Sequence, residues 1–570
     1  MTGKGGLPIS TVYGNLTGLN KQTVYDLERI YRRKVPPDQL ITRELAAFLC
    51  EISASINRQI GVLITRGGTI SHVIAGDASG LIIPALGSYP LGRKPMRGLR
   101  LVHTHLKNEP LSNDDLNDLA ILRLDYMAAI GIKNGLPDKL YGAHLVPQPG
   151  VLPYEVSDGI SLYALDLAFD SFVRGLEDEM ERERLSKGDA TREQAILVSV
   201  SNAPRYEQED SLSELEELAY SADIIVLDKT MQRMKEINPK YLLGTGKARE
   251  LVIEALGKGA TLLVFDQNLS PSQSRSITEL TELKVIDRTQ LILDIFARRA
   301  HSRDGKVQVE LAQLKYRLPR LSGKGTAMSR LMGGIGGRGP GEMKLEIDKR
   351  RVRDRINLLE KELEKLSRAR DERKRRRVKL GIPIVSIVGY TNAGKSTLLN
   401  NLTRSATAVE DKMFATLDTA SRRLRFPHER EVIVTDTVGF IRDLPEDLSA
   451  AFKATLEELS DADLLLHVVD LSNDRFEQQI ASVGNILSQL GLDSKPQLMA
   501  FNKIDLVDPG EAANVVAHYS NPDESYAHGA VALCAMDQST FGPLLEAIGE
   551  RLFTPRLLGT QSDIKLQSNE

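Results

Sequence analysis

Cysteine is almost absent: Cys50 and Cys534 are the two in 570 residues. They lie far apart and show no metal-ligand spacing, which excludes a secreted scaffold held by disulfides. Long apolar runs are missing too, none approaching the ~18 residues that span a bilayer. The N-terminal MTGKGGLPIS has no apolar core of the kind a secretory signal carries. These absences predict a soluble cytoplasmic protein, expected to be monomeric. An excess of one charge is also lacking over the whole chain, at a net −3, but the balance is uneven. Residues 311–379 hold 22 Lys/Arg against nine Asp/Glu, a net +13, which leaves −16 for the remainder. That asymmetry predicts one polyanion-binding element on an otherwise acidic protein.

Apolar residues at 41% can build sizeable cores, and the length allows roughly three to five domains. Residues 1–175 mix helical and strand patterns, with turn signals at Gly67-Gly68 and Pro149-Gly150, and 176–193 reads as a polar helix or linker. From Ala195 the runs AILVSVS, ADIIVLD and TLLVFD alternate with helical stretches, the pattern of a small α/β domain with a largely parallel sheet. Residues 288–321 are helical in pattern, 322–341 are glycine-rich, and a second long helix is expected from about 342 to 377. Val352, Ile356, Leu359, Leu363 and Leu366 are spaced three or four apart, an apolar seam for a partner helix. The predicted architecture is α/β multidomain. It has an N-terminal α/β extension (1–190), a small α/β domain (191–287) and a helical hairpin with a glycine tip (288–380). A Ras-like P-loop domain (381–555) and a tail (556–570) follow.

The chemistry concentrates in 381–555. A buried-strand run at 382–388 leads into Gly389-Tyr390-Thr391-Asn392-Ala393-Gly394-Lys395-Ser396, with a helix expected to open at Thr397. This is G-x-x-x-x-G-K-[ST] in the strand–loop–helix setting that gives the motif meaning. Backbone N–H groups and the helix N-terminus hold phosphates there. Lys395 is expected to reach the β/γ oxygens and Ser396 to supply an oxygen to Mg²⁺. The strand 431–435 ends in Asp436-Thr437-Val438-Gly439, where the acid can hold Mg²⁺ through water and the Gly439 N–H can meet a γ-phosphate. The strand 497–501 ends in Asn502-Lys503-Ile504-Asp505. A carboxylate there accepts from guanine N1–H and the 2-amino group together; adenine offers no such pair. Thr416, within Phe414-Ala415-Thr416-Leu417-Asp418, stands where a switch threonine closes on Mg²⁺ and γ-phosphate. Lys395, Thr416 and Gly439 are the expected catalytic groups. Two positions depart from common GTPase usage. Phe440 occupies the place of a water-orienting Gln, so intrinsic hydrolysis is expected to be slow. The second base loop reads Cys534-Ala535-Met536 where Ser-Ala is usual.

The runs INPKYLLGTGKAREL (237–251), VFDQNLSPSQSR (264–275), 287–321 and SRLMGGIGGRGPGEMKLEIDKRR (329–351), with GYTNAGKSTLLN, FATLD and DTVGF, resemble the HflX family of ribosome-associated GTPases. The resemblance covers about 195–555. It implies GTP as substrate, GTP-dependent binding to the large (50S) ribosomal subunit through rRNA, and splitting or rescue of stalled ribosomes. The +13 segment suits a polyphosphate partner. A tip poor in side chains lets backbone enter a narrow RNA cavity, with Arg330 and Arg338 placed to reach phosphates or stack on bases. Asn392 resembles the P-loop asparagine of potassium-activated GTPases, so K⁺ is an expected cofactor beside Mg²⁺. Gly244-Thr245-Gly246-Lys247 lacks the first P-loop glycine and is expected to be a tight turn before a helix.

In the extension, LRLVHTHLKNEPLSNDDLNDL (99–119) sets His103 and His105 on a strand ahead of Ser112 and Asp115. The pattern is similar to the H-x-H…S-x-x-D of JAMM/MPN metallopeptidases. Leu106 stands where that family has Pro, the His-to-Ser spacer is one residue short, and Arg58-Gln59-Ile60-Gly61 sits where its catalytic Glu is expected. A degenerate, structural version with locally hydrogen-bonded histidines is the favoured expectation, ahead of a zinc site or an active peptidase. Two other functions remain open to the sequence: a GTPase of ribosome assembly or tRNA modification, and a metallopeptidase with a regulatory GTPase half.

Overall fold

The computed structural model describes residues 11–84, 86–89, 95–146, 152–164, 167–186, 192–281, 283–321, 340–403, 413, 420–426, 430–437, 439–440, 457–520 and 529–553. The expected switch segment 414–418, Val438, the glycine tip 322–339 with Arg330 and Arg338, and the tail 556–570 lie outside them. The chain divides into two compact units, one running to Leu212 and adding Asp223–Ile286, the other comprising Ser213–Ala222 and the chain from Asp287.

The first unit contains a seven-stranded sheet. Its order is Val12–Gly14, Ile70–Ala75, Ile60–Thr65, Leu99–His105, Tyr126–Lys133, Leu136–Leu145 and Tyr154–Ser161. Leu99–His105 lies at its centre and is buried at every position, so neither of its faces meets solvent. A second sheet orders Lys284–Asp287, Leu262–Phe265, Gln194–Ser201 and Ile225–Arg233, with the last three parallel. The strand expected at 222–228 begins only at Ile225. Helix Arg205–Ser221 runs up to it, and Asp223 turns the chain with φ +56°. Of the charged stretch expected at 176–193, residues 176–186 are the second half of helix Phe169–Ser186. Of Gly244-Thr245-Gly246-Lys247, expected as a tight turn before a helix, Gly244 is the N-cap and the other three open helix Thr245–Gly257.

The second unit has the Ras-like arrangement. Its six-stranded sheet orders Ala420–Arg425, Glu431–Asp436, Ile384–Gly389, Leu464–Asp470, Gln497–Asn502 and Ala530–Ala532. Only Ala420–Arg425 is antiparallel to its neighbour. Near-continuous burial of Val385–Gly389 and Leu464–Val469 reflects helices packed against parallel strands. Preceding this sheet are Arg288–Arg299, Arg303–Arg317 and the 41-residue Pro340–Leu380. The stretch expected as one helix over 288–321 is therefore two. Ala300 turns extended (ψ 106°), and the Ser302 side chain accepts from Gly305 N–H to restart the helix. The long helix begins at Pro340, inside the expected tip, because proline is suited to a first helical turn. Val352, Ile356, Leu359, Leu363 and Leu366 pack together against Val307, Leu311, Leu314 and Leu318, as the spacing predicts. The Arg355 guanidinium donates to both oxygens of Glu310 at 2.7 and 2.8 Å, and Lys315 pairs with Glu360 at 2.7 Å, which holds the two arms in register. No helix among the described residues is long and apolar enough to cross a membrane.

Candidate nucleotide site

Ile384–Gly389 is flanked in parallel by Glu431–Asp436 and Leu464–Asp470, and the latter pairs with Gln497–Asn502. The C-terminal ends of all four strands therefore open on one edge, where α/β sheets hold ligands. Two glycines make the phosphate loop geometrically feasible. A Cβ on Gly389 (φ +148°) would stand 2.2 Å from the Val468 carbonyl oxygen, and one on Gly394 (φ +92°) 2.2 Å from Asn502 Nδ2. Asn392 between them is left-handed at φ +61°, a conformation asparagine tolerates better than most residues. Gly394 caps a helix that opens at Lys395, two residues earlier than expected.

Lys395 is buried and donates from Nζ to the Tyr390 carbonyl at 2.5 Å. Burial pulls its pKa down to about 8, against the opposing pull of Asp436. A phosphate beside Nζ favours the charged form. Ser396 Oγ donates to Asp436 Oδ2 at 2.7 Å, so a hydroxyl and a carboxylate meet at the helix N-terminus as a hard-oxygen pair. Gly439 lies against the same lysine: an added Cβ would come 2.9 Å from Lys395 Nζ and from Thr391 Cγ2. Thr437 Oγ1 donates to the Ile387 carbonyl at 2.7 Å and fixes the start of this loop. His467, buried on the adjoining strand, has its pKa pushed to about 3 by burial and by Lys395, so it is neutral at working pH.

At the base end, Asn502 acts as a strut. Its Nδ2 donates to the Ala393 carbonyl and its Oδ1 accepts from Ala535 N–H, both at 2.8 Å. Lys503 is left-handed (φ +65°) and pairs with Asp470 at 2.6 Å, leaving Asp505 in the exposed turn Ile504–Leu506. The Cys534 thiol hydrogen-bonds to Asp505, and burial with that carboxylate raises its pKa. Cysteine thus occupies the loop position beside Asp505, with Met536 largely exposed next to it. The structure brings together Gly389 through Ser396, Asp436, Thr437, Gly439, Asn502, Asp505, Cys534 and Ala535. Thr397 continues the helix one residue beyond Ser396.

Several supporting residues carried no motif. Asn401 Nδ2 donates to the Ala535 carbonyl at 2.6 Å, tying the base loop to the phosphate-loop helix. Asp470, the last residue of strand Leu464–Asp470, pairs with Lys503. Glu214 accepts from the Tyr390 hydroxyl at 2.5 Å and pairs with Arg288 at 2.6 Å. The phosphate loop is thereby linked to the first residue of Arg288–Arg299. Ser221 Oγ accepts from Met413 N–H at 2.9 Å, immediately before the expected switch segment.

Phe440 is buried, and its backbone is what touches the site. It donates N–H to the Gly389 carbonyl (3.0 Å) and accepts from Thr391 N–H (2.8 Å). The ring has no group to hold water. Phe440→Leu keeps most of the volume and all of the backbone bonds. Its GTP turnover is expected to stay within about fivefold of wild type, a barrier change of roughly 1 kcal/mol. Phe440→Ala is expected instead to lower stability by about 3–5 kcal/mol through the cavity it leaves. Single-turnover hydrolysis and thermal unfolding of both variants check this. A loss of several hundredfold in the leucine variant with folding intact would show that the ring takes part in hydrolysis.

Three family models match the chain. Residues 209–297 match one described as GTP-binding GTPase N-terminal, 299–377 one described as GTP-binding GTPase Middle Region, and 384–503 one described as 50S ribosome-binding GTPase. The GTPase HflX of Caldanaerobacter subterraneus subsp. tengcongensis is 48% identical over 362 residues, 64% of this chain and 81% of its own. That of Lacrimispora saccharolytica is 49% identical over 56% of this chain and 75% of its own, and that of Escherichia coli 43% identical over 63% and 83%. Among solved structures, an SsGBP and GDP complex is 26% identical, covering 63% of this chain and 98% of the other at a TM-score of 0.38.

Proposed function

This chain belongs to the HflX family of GTPases, and on that premise we propose that it binds the large ribosomal subunit while holding GTP and splits or rescues stalled ribosomes. It binds and hydrolyses GTP. The observation that carries the ribosomal reading is the hairpin. Its net +13 segment includes a seam-packed rigid stalk ending at a glycine-rich tip, and that combination suits insertion into folded RNA. GTPases of ribosome assembly and tRNA modification use other appended domains, so the stalk weighs against them.

Within the site, Gly389–Thr397 cradles the phosphates and Lys395 neutralises the β/γ oxygens. Gly439 N–H meets the γ-phosphate, and Asn502, Lys503, Ile504, Asp505 and the Cys534-Ala535-Met536 loop hold the base. The hard-oxygen pair Ser396 and Asp436 fits Mg²⁺, with Thr416 of the 414–418 segment as a further ligand. Bound there, the ion would neutralise charge on the β- and γ-phosphates. The protein works in the cytoplasm as a monomer. With Phe440 unable to orient water, Asn392 would hold a monovalent cation, which would supply part of the missing stabilisation. Turnover in K⁺ is therefore expected to exceed turnover in Na⁺ at equal ionic strength by about tenfold, roughly 1.4 kcal/mol of barrier. Equal rates in the two salts remove the cation from the account. The test of the function is GTP turnover with and without purified large subunits. Stimulation that saturates with subunit concentration is expected, and turnover indifferent to subunits at every concentration contradicts the proposal.

A further inference from the structure

Ser213–Ala222 takes in the end of helix Arg205–Ser221, yet it clusters with the second unit, while the helix up to Leu212 belongs to the first. This short segment is held from two sides at both of its ends. At its start, Glu214 Oε1 accepts from the Tyr390 hydroxyl at 2.5 Å, and Glu214 Oε2 pairs with Arg288 Nη2 at 2.6 Å. At its end, Ser221 Oγ accepts from Met413 N–H at 2.9 Å, and the Ala222 carbonyl accepts from Arg298 at 2.6 Å. On one side stands the nucleotide-binding sheet with its loops. On the other stands helix Arg288–Arg299, which begins the hairpin. The side chains of Glu214 and Arg288 are 13% and 7% exposed, so water screens this pair far less than it screens a surface pair.

Tyr390 is the second residue of the phosphate loop, and its backbone is bracketed by Phe440. Phe440 donates N–H to the Gly389 carbonyl and accepts from Thr391 N–H, one bond on each side of Tyr390. The Tyr390 carbonyl itself accepts from Lys395 Nζ. Lys395 and the Gly439–Phe440 backbone are the groups a β/γ-phosphate draws upon, the reading of the site on which this inference rests. A shift in either moves Tyr390, and the tyrosine hydroxyl delivers that shift to Glu214. On the hairpin side, Arg288 follows Asp287 directly. The Asp287 carboxylate accepts from the Tyr316 hydroxyl and stands 3.6 Å from Arg320. Tyr316 lies in the last turn of Arg303–Arg317 and Arg320 in the turn Leu318–Arg320, immediately before the glycine-rich tip.

We propose that Glu214 is a positioning residue that couples the phosphate loop to the hairpin, its carboxylate passing the γ-phosphate-dependent setting of Tyr390 to Arg288 and so to the arm that leads into the tip. A carboxylate suits the task because it offers one oxygen to each partner. The coupling runs both ways: whatever holds the hairpin in one setting changes nucleotide affinity by the factor with which the nucleotide biases the hairpin. Tyr390→Phe removes the hydroxyl and keeps the ring, which cuts the link at the loop. Glu214→Gln keeps an oxygen for the Tyr390 hydroxyl but gives up the charge that holds Arg288, which cuts it at the hairpin. Paired with Arg288→Met, it removes both charges together and strands neither in the interior.

The test reads hydrogen–deuterium exchange of the Arg303–Arg317 amides in the full chain, without ribosomes, at saturating GDP and at a saturating non-hydrolysable GTP analogue. Titration of each protein with both nucleotides sets those concentrations. In wild type, exchange is expected to differ between the two nucleotides by about threefold or more. Tyr390→Phe should bring that ratio close to one, and so should the Glu214→Gln, Arg288→Met double variant. A role in folding alone would raise exchange with both nucleotides and leave their ratio as in wild type, which overturns the proposal. So does a ratio of one in wild type with both nucleotides bound. With no ribosome present, either result leaves the large-subunit reading standing. Failure of the analogue to bind wild type would instead overturn the reading of the nucleotide site, and the coupling with it.

Discussion

Asp505→Asn is expected to weaken GTP binding by about 10²–10⁴-fold, since two charge-assisted hydrogen bonds worth roughly 1.5–3 kcal/mol each are exchanged for a mismatched donor. The carboxylate sits in an exposed turn held from both sides, by the Lys503–Asp470 pair and by the Cys534 thiol. The substitution therefore changes recognition without loosening the loop. Xanthine carries a carbonyl where guanine carries its 2-amino group, so the asparagine amide can donate to it, and affinity for xanthosine triphosphate should rise as that for GTP falls. Titration of both nucleotides against both proteins measures the exchange. Equal GTP affinity in the two proteins places base selection elsewhere. In that event Cys534 and Met536 become the residues to examine.

Removing Gly333–Arg338 from the hairpin tip is expected to leave GTP affinity within about twofold of wild type, under roughly 0.5 kcal/mol, while abolishing stimulation of turnover by ribosomes. The deletion spares Pro340, where the long helix starts, and all of the seam from Val352 to Leu366. The stalk therefore remains while its end is lost. Residual affinity for the subunit should fall steeply with salt. About five neutralised phosphates predict a loss on the order of 10²–10³-fold between about 50 and 200 mM. Splitting of ribosomes at the normal rate by the deleted protein makes the hairpin a spacer.

The nucleotide-binding loops were legible in the sequence because their chemistry is local. A phosphate loop needs glycine where the backbone turns left-handed or closely approaches a neighbouring strand, and Gly389 and Gly394 are those positions. The hairpin seam was legible because helical periodicity survives in a highly charged segment. What escaped was contact between distant segments. Asn401, Asp470 and Glu214 carry no pattern of their own, and their partners lie 134, 33 and 176 residues away. The break at Ala300–Ser302 escaped too, since a serine cap inside a charged stretch looks like any exposed helical residue. In the extension, spacing alone could not separate locally bonded histidines from a ligand set.

The central claim is that GTP commits this protein to the large ribosomal subunit through its hairpin. Its most direct test is co-sedimentation of the purified full chain with large subunits in three states: a non-hydrolysable GTP analogue, GDP, and no nucleotide. The account predicts near-stoichiometric pelleting with the analogue, at least tenfold weaker binding with GDP or no nucleotide, and loss of the analogue-dependent fraction on deleting Gly333–Arg338. Binding that is the same in all three states, or that survives the deletion undiminished, contradicts it.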